Sequence, residues 1–144
     1  MENKYNVLVV EDDTYIRKVL RHTLQADFEV TTLNNGIEAM DWLESGNSVD
    51  IIITDLQMPY LSGQDLIRTI RASSLLRQVP IIVLSTFTDS ATKIACLEQG
   101  ADDYMIKPFN PLEVRAKINA ILRRTNEKSG TTYSAPLPGN RPAF

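Results

Sequence analysis

The sequence predicts an α/β protein in which five parallel strands form one doubly wound sheet, covered by helices on both faces. Two observations predict this fold class: five short apolar runs alternate with five amphipathic segments, and three of the runs are nearly continuous Val, Ile and Leu. Such runs are typical of strands that are buried on both faces. Parallel strands also need long crossover connections, and an amphipathic helix supplies each of them.

The predicted strands and helices alternate along the first 124 residues. The strands are residues 6–10, 28–33, 49–54, 80–84 and 104–106. Each predicted helix places apolar side chains at intervals of three or four residues, with charged residues on its other side. The fourth helix ends at Gly100, which suits a left-handed C-cap, and the fifth begins with Asn110 as N-cap and Pro111 in the first helical position.

Length and composition indicate one globular domain. The chain has 144 residues, of which 43% are hydrophobic and 23% charged, enough for one core but not for two ordinary domains. A net charge of −3 provides no basic field, so we expect this segment to contact no nucleic acid. The single cysteine, Cys96, fits a reducing cytoplasm. We expect no membrane span and no signal peptide, since the apolar runs are short and the N-terminus is polar.

The C-terminal residues differ in composition from the rest of the chain. Residues 125–144 are rich in Pro, Gly, Ser and Thr and lack apolar periodicity. Segments of this kind are typical of linkers and tails. We therefore predict a domain over residues 1–124, followed by a flexible tail or linker over residues 125–144.

Polar side chains stand where four of the predicted strands end. Glu11 and Asp12 follow the first strand, Asp55 the third, Ser85 the fourth and Lys107 the fifth. Because ligands of open parallel sheets bind beyond the carboxyl ends of the strands, we expect these side chains to meet at one edge.

Charge balance at this edge points to a divalent cation. Three carboxylates would raise one another's pKa values, and the one ammonium of Lys107 does not neutralise them all. Magnesium, Mg2+, accepts one or two carboxylates together with waters and phosphate oxygens. A carboxylate beside Mg2+, an amine and a hydroxyl can accept a phosphoryl group. The sequence contains one histidine, His22, and neither a glycine-rich phosphate loop nor zinc-ligand spacing, so other catalytic sets find little support.

Four segments resemble the receiver domains of response regulators in order and spacing across residues 5–124. They are VLVVEDD, TDLQMPYLSG, PIIVLS and GADDYMIKPF. The resemblance implies a flavodoxin-like sheet with strand order 2-1-3-4-5. It also implies a cytoplasmic phosphoacceptor switch of a two-component system, which takes phosphate from a sensor histidine kinase or a phosphotransfer protein. Such a domain catalyses its own phosphorylation and dephosphorylation and is not a conventional enzyme.

The resemblance also assigns roles to the residues at the strand ends. Asp55 corresponds to the phosphoacceptor and ligates the metal, together with Asp12 directly and Glu11 mainly through water. Gln57 should offer its backbone carbonyl to the ion. Lys107 corresponds to the phosphate-binding lysine.

Two further residues correspond to the switch of this family. Ser85 matches the hydroxyl residue, which is drawn to the phosphate, and Tyr104 matches the aromatic residue, which then turns inward. The resemblance further implies a cis bond between Lys107 and Pro108.

The C-terminal third resembles the branch of this family that carries a DNA-binding winged helix and dimerises through helix four, strand five and helix five. Five charged residues fall at matching positions: Lys93, Asp102, Asp103, Glu113 and Lys117. Lys93 with Glu113, and Asp103 with Lys117, could pair across a two-fold axis on phosphorylation. Ordinary solvated charges are the alternative, and exposed pairs contribute only ~0–1 kcal/mol each.

Two other function classes stay open at this point. A magnesium-dependent phosphatase with an aspartyl-phosphate intermediate usually carries a second aspartate in a D-x-D pattern, whereas Asp55 is followed by Leu and Gln. A flavodoxin-like cofactor module would bind an anionic cofactor, which the acidic strand ends disfavour. Taken singly, Asp55 could be a turn residue and Glu11 to Asp13 a helix cap.

Overall fold

The computed structural model describes residues 4–129, with side chains over residues 4–126. The strands are β1 (Asn6–Val10), β2 (Glu29–Leu33), β3 (Ile51–Asp55), β4 (Ile81–Ser85) and β5 (Asp103–Ile106). The helices are α1 (Thr14–Leu24), α2 (Gly36–Glu44), α3 (Gly63–Ala72), α4 (Ser90–Gln99) and α5 (Pro111–Ser129). The predicted α/β class is confirmed, and the predicted strands are displaced by two residues at most.

All five strands are parallel and lie in the order β2-β1-β3-β4-β5, as predicted. The register brings the carboxyl ends of β3, β4 and β5 to one edge of the sheet. Asp55 is the Cα partner of Leu84, and the next residue of β4, Ser85, is the partner of Ile106. The polar residues that end β1, β3, β4 and β5 therefore share this edge of the sheet.

The sheet is buried on both faces because its strands alternate their side chains between two apolar clusters. On one face, Leu8 and Ile52 pack with residues of α2, α3 and α4. On the other face, Val9 and Ile53 pack with residues of α1 and α5. All five residues of β3 and all five of β4 are buried. This explains the continuous apolar runs, since a strand with helices on both sides has no solvent-facing side.

The last helix is longer than the sequence pattern indicated. The apolar stripe of α5 ends at Leu122, yet the helix continues to Ser129. Residues 125–129 include helix-forming Glu and Lys, and the first helix-breaking residue, Gly130, comes only after them. The tail over residues 130–144 lies outside the described residues, so a domain boundary at residue 124 stays a prediction. Within residues 4–129, none of the helices has the length and apolar character needed to span a membrane.

Candidate phosphoacceptor site

The three acidic residues that follow β1 have different environments. Glu11 is buried, with 1% of its surface exposed, whereas Asp12 is exposed. Asp13 is the N-cap of α1, where its carboxylate accepts a hydrogen bond from the Ile16 amide at 3.1 Å. Carboxylates are favoured at this position because they bind the free amides of the first helical turn. Asp13 therefore serves the helix, and Glu11 and Asp12 are left to form the site.

Asp55 is the last residue of β3 and is largely buried. Its Oδ1 accepts a hydrogen bond of 2.7 Å from the Leu56 amide, which fixes the carboxylate at the end of the strand. Gly63, the first residue of α3, packs directly against this turn. A Cβ atom at Gly63 would lie 2.2 Å from the carbonyl oxygen of Asp55, so the close approach of α3 requires glycine here.

Lys107 joins the acidic residues of two strands. Its Nζ lies 2.9 Å from Glu11 Oε1 and 3.2 Å from Asp55 Oδ2. The lysine follows β5, and the bond between Lys107 and Pro108 is cis, as the resemblance implied. A buried carboxylate needs a partner of opposite charge, and this one ammonium serves two of them.

The pKa values in this cluster move as burial and charge dictate. Removal from water, helped by the nearby Asp55 charge and opposed by the Lys107 hydrogen bond, raises the pKa of Glu11 to about 7. Burial alone would lower the pKa of Lys107, but the hydrogen bond to Glu11 and the charges of Asp55 and Glu11 outweigh it and raise that pKa. Lys107 is therefore cationic at neutral pH, whereas Glu11 is poised between its two protonation states.

Glu11, Asp12 and Asp55 together fit a divalent cation. Each offers one carboxylate oxygen, and the three oxygens lie within 4.8 Å of one another. Hard oxygen donors in this number suit Mg2+, which completes its coordination with water and phosphate oxygens. Gln57, the fourth predicted ligand, has an exposed side chain, and its role rests on the backbone carbonyl, which stays a prediction.

The two predicted switch residues both form hydrogen bonds with the backbone of Phe87. Ser85 is buried, and its Oγ accepts a hydrogen bond of 2.9 Å from the Phe87 amide. Tyr104 is also buried, and its hydroxyl donates a hydrogen bond of 2.8 Å to the Phe87 carbonyl oxygen. Burial raises the pKa of the Tyr104 phenol, so it stays a donor at neutral pH. Movement of the β4–α4 loop, residues 86–89, would therefore reach Ser85 and Tyr104 together.

The five charged residues predicted for a dimer surface have unequal surroundings. Lys117 Nζ lies 2.9 Å from Asp103 Oδ2 within the same chain. Asp102 Oδ2 is 3.0 Å from the guanidinium of Arg71, also within the chain. Lys93 and Glu113 are exposed. Sequence reasoning did not include Arg71, whose partners are mostly backbone carbonyls and leave no pattern in the sequence.

Two other features of this edge also escaped sequence analysis. Tyr60, in the loop between β3 and α3, has a positive φ of 75° and is 86% exposed. An apolar cavity of about 420 Å³ lies beside Lys107, and its lining includes Tyr15, Val19 and Phe109. Positive φ at Tyr60 has no sequence signal, because glycine and asparagine are the residues that usually mark it.

Comparison with known proteins agrees with the geometry. The family model described as the response regulator receiver domain matches residues 7–119. The KDP operon transcriptional regulatory protein KdpE of Escherichia coli is 42% identical over 137 residues, which cover 92% of this chain and 56% of KdpE. The chain spans about half the length of the curated relatives it matches.

Solved structures of receiver domains superpose closely on the chain. The receiver domain of the Francisella response regulator 1452 has a TM-score of 0.78 at 32% identity, covering 85% of this chain and 99% of that one. The receiver domain of the sensor histidine kinase PA1611 from Pseudomonas aeruginosa has a TM-score of 0.71 at 33% identity, covering 84% and 96%. That structure is described as holding a magnesium ion in the active site cleft.

Proposed function

Because the chain belongs to the response regulator receiver family, we propose that it is a phosphoacceptor switch which takes a phosphoryl group on Asp55 from the phosphohistidine of a sensor kinase or phosphotransfer protein in the cytoplasm. The observation that carries this proposal is the contact of one half-buried lysine with two buried acidic residues. Lys107 lies 3.2 Å from Asp55 and 2.9 Å from Glu11, and Asp12 completes the acidic cluster.

The transfer is a displacement at phosphorus. A carboxylate oxygen of Asp55 forms the new P–O bond, the P–N bond to the donor imidazole breaks, and the imidazole nitrogen takes up a proton. The reacting groups are anionic, so the barrier falls when positive charge surrounds the phosphoryl oxygens. Lys107 supplies one such charge from a fixed position, since Glu11 holds its ammonium.

Glu11, Asp12 and Asp55, with the backbone carbonyl of Gln57, are the residues that would hold Mg2+. The ion, when bound, neutralises carboxylate repulsion and shields the phosphoryl oxygens. The protein residues hold the geometry: the Leu56 amide orients Asp55, and Glu11 orients Lys107. We propose that the activity ends with this self-catalysed phosphorylation and the later hydrolysis of the acyl phosphate, without turnover of an external substrate.

The signal then leaves through Ser85 and Tyr104. The Ser85 hydroxyl is released from the Phe87 amide and donates to a phosphoryl oxygen, and the Phe87 carbonyl carries the change to the Tyr104 hydroxyl. The acyl phosphate thereby favours the loop position in which Ser85 donates to the phosphoryl oxygen.

Phosphotransfer from acetyl phosphate tests the proposal. Wild type with Mg2+ is expected to gain the mass of one phosphoryl group, and Asp55→Asn is expected to gain none. Asp13→Asn is the matched control, because asparagine also caps helices and Asp13 belongs to α1 and not to the cluster. Equal labelling of wild type and Asp55→Asn would show that another residue accepts phosphate.

We further propose that phosphorylation promotes a homodimer through α4, β5 and α5. Lys93 and Glu113 are exposed there, and Lys117 and Asp103 could exchange their ion pair within the chain for one across a two-fold axis. Ile94 and Leu112 add exposed apolar area to the same elements. Exposed ion pairs of this kind fix register more than affinity.

Sedimentation with and without beryllofluoride, a phosphate mimic, tests the dimer. A shift from monomer to dimer that Lys93→Glu prevents, and that Glu113→Lys added to Lys93→Glu restores, would support it. A monomer in both states would end it.

A further inference from the structure

Arg71, near the C-terminal end of α3, binds three backbone carbonyls from two separate loops. Its guanidinium donates to the Gly100 oxygen at 2.7 and 3.0 Å, to the Val79 oxygen at 2.6 Å and to the Arg77 oxygen at 2.9 Å. It also donates to Asp102 Oδ2 at 3.0 Å. One side chain therefore joins α3, the α3–β4 loop and the turn between α4 and β5.

The turn that Arg71 holds is fixed from a second side by the first residue of β4. Asp102 Oδ2 accepts the Ile81 amide at 2.8 Å, and the Asp102 amide donates to the Ile81 oxygen at 2.7 Å. Gly100 has a φ of +126°, and a Cβ atom there would lie 2.7 Å from Cγ of Arg71. Glycine thus allows both the backbone turn and the close approach of the arginine.

The two ends of α4 are attached very differently. Its C-terminal end adjoins the Arg71 clamp, which we define as Arg71, Gly100 and Asp102. Its N-terminal end is capped by Asp89, which accepts hydrogen bonds from the amide and the hydroxyl of Thr92. These bonds join the cap to the first turn of α4 and not to another element. Within Ser90–Gln99, Cys96 is the only buried residue, so little apolar packing holds the rest of the helix to the sheet.

We propose that the Arg71 clamp fixes the C-terminal end of α4. Phosphorylation of Asp55 then displaces the β4–α4 loop and the N-terminal half of α4, while residues 98–102 stay in place. The inference rests on the proposed function. A helix with one firmly bonded end and one loosely packed end moves as a lever about the bonded end. Arg71 is accordingly a positioning residue, 29 positions from Gly100 along the chain.

The clamp also changes the interpretation of Asp102. Its Oδ2 accepts from Arg71 and from the Ile81 amide, although the side chain is exposed, so a place for Asp102 on a dimer surface stays a prediction.

Amide hydrogen exchange with and without beryllofluoride and Mg2+ tests the lever. In wild type, exchange in residues 86–92 is expected to change on activation, and exchange in residues 98–102 is expected to stay the same. In Arg71→Met, residues 98–102 are expected to exchange about tenfold faster and to become sensitive to activation. Arg68→Met is the matched control, since Arg68 lies on the same helix and is exposed.

If Arg71 only stabilised the fold, Arg71→Met would speed exchange in residues 98–102 but leave this exchange insensitive to beryllofluoride. That result would overturn the lever. Activation changes in residues 98–102 of wild type would overturn it as well. If Arg71→Met does not fold, Asp102→Asn keeps the side-chain shape and removes the ion pair, and the same pattern is expected with a smaller increase. Failure of the proposed function is distinct: beryllofluoride would then change no residue near Asp55 in wild type.

Discussion

The ammonium of Lys107 lies 2.9 Å from the carboxylate of Glu11, although 96 positions separate the two residues in the sequence. The pair exists because parallel strands place the ends of β1 and β5 at one edge of the sheet. Glu11 is 1% exposed and has a raised pKa, so it depends on Lys107 for charge compensation when it is ionised. Stability and the proposed phosphoryl chemistry therefore depend on one ion-pair cluster.

Removal of Lys107 is expected to destabilise the metal-free protein. Lys107→Met leaves Glu11 and Asp55 buried without their cation, and loss of one partner from a buried pair costs about 3 kcal/mol. Urea unfolding at pH 8 in EDTA measures this. Lys117→Met is the control: it removes the half-exposed pair with Asp103 and is expected to cost less than about 1 kcal/mol. Equal losses of unfolding free energy in the two variants would show that the Lys107 contacts stabilise the fold no more than the half-exposed pair does.

The stability of the metal-free protein is expected to fall as pH rises from about 5 to 8. The pKa of Glu11 is about 7 in the folded chain and 4.5 when unperturbed, so between these values the folded state binds more protons than the unfolded state. The contribution of Glu11 to the free energy of unfolding is complete below pH 4.5 and is lost as pH rises past about 7. It amounts to about 3 kcal/mol at most. Glu11→Gln is expected to reduce the slope, as measured by urea unfolding across this range.

Saturating Mg2+ is expected to flatten the same pH profile in wild type, because the cation favours ionised Glu11 and Asp12. A wild-type profile that is as steep with Mg2+ as with EDTA would contradict the assignment of these carboxylates to the metal.

Gly63→Ala is expected to disrupt the site through the backbone. The new Cβ would lie 2.2 Å from the Asp55 oxygen and 2.8 Å from Cα of Leu56, so α3 must move away from the end of β3. We expect a loss of about 3 kcal/mol or more in thermal or urea unfolding. Gly46→Ala is the control, since Gly46 has a positive φ of 89° but no atom within 4 Å of the added Cβ, and about 1 kcal/mol is expected. Similar losses in the two variants would argue against the close approach.

Tyr104→Phe is expected to separate the switch from the chemistry. It deletes the hydrogen bond to the Phe87 carbonyl oxygen and should cost about 1 kcal/mol in urea unfolding. Labelling of Asp55 by acetyl phosphate is expected to stay within about twofold of wild type, since the Tyr104 hydroxyl bonds to the Phe87 carbonyl oxygen and not to the carboxylates of the site. A tenfold loss of labelling would place Tyr104 in the reaction itself.

Apolar patterning carried enough information to predict the layers and the edge of the sheet at which the polar strand ends meet. The runs around Ile52 and Ile82 have no polar face, as expected of strands that are covered by helices on both faces. The residues that end the strands meet because the strands are parallel. The end of α5 was missed because its apolar stripe stops at Leu122, whereas helix propensity continues the helix to Ser129.

The contacts that sequence reasoning missed are those in which a side chain binds backbone. Arg71 donates to carbonyls that every residue possesses, so nothing in the sequence identifies its partners. Asp103 and Lys117 were predicted to face a second chain, but they also lie close enough to pair within one chain, and charge patterning does not distinguish the two cases.

Calorimetric titration of the metal-free protein with Mg2+ tests the central claim most directly, namely that a divalent cation completes the charge balance around Asp55. Wild type and Asp13→Asn are expected to bind one Mg2+ per chain with equal affinity, and Asp12→Asn is expected to bind at least about tenfold more weakly. Wild type and Asp12→Asn binding alike, or no saturable binding by wild type, would contradict the account.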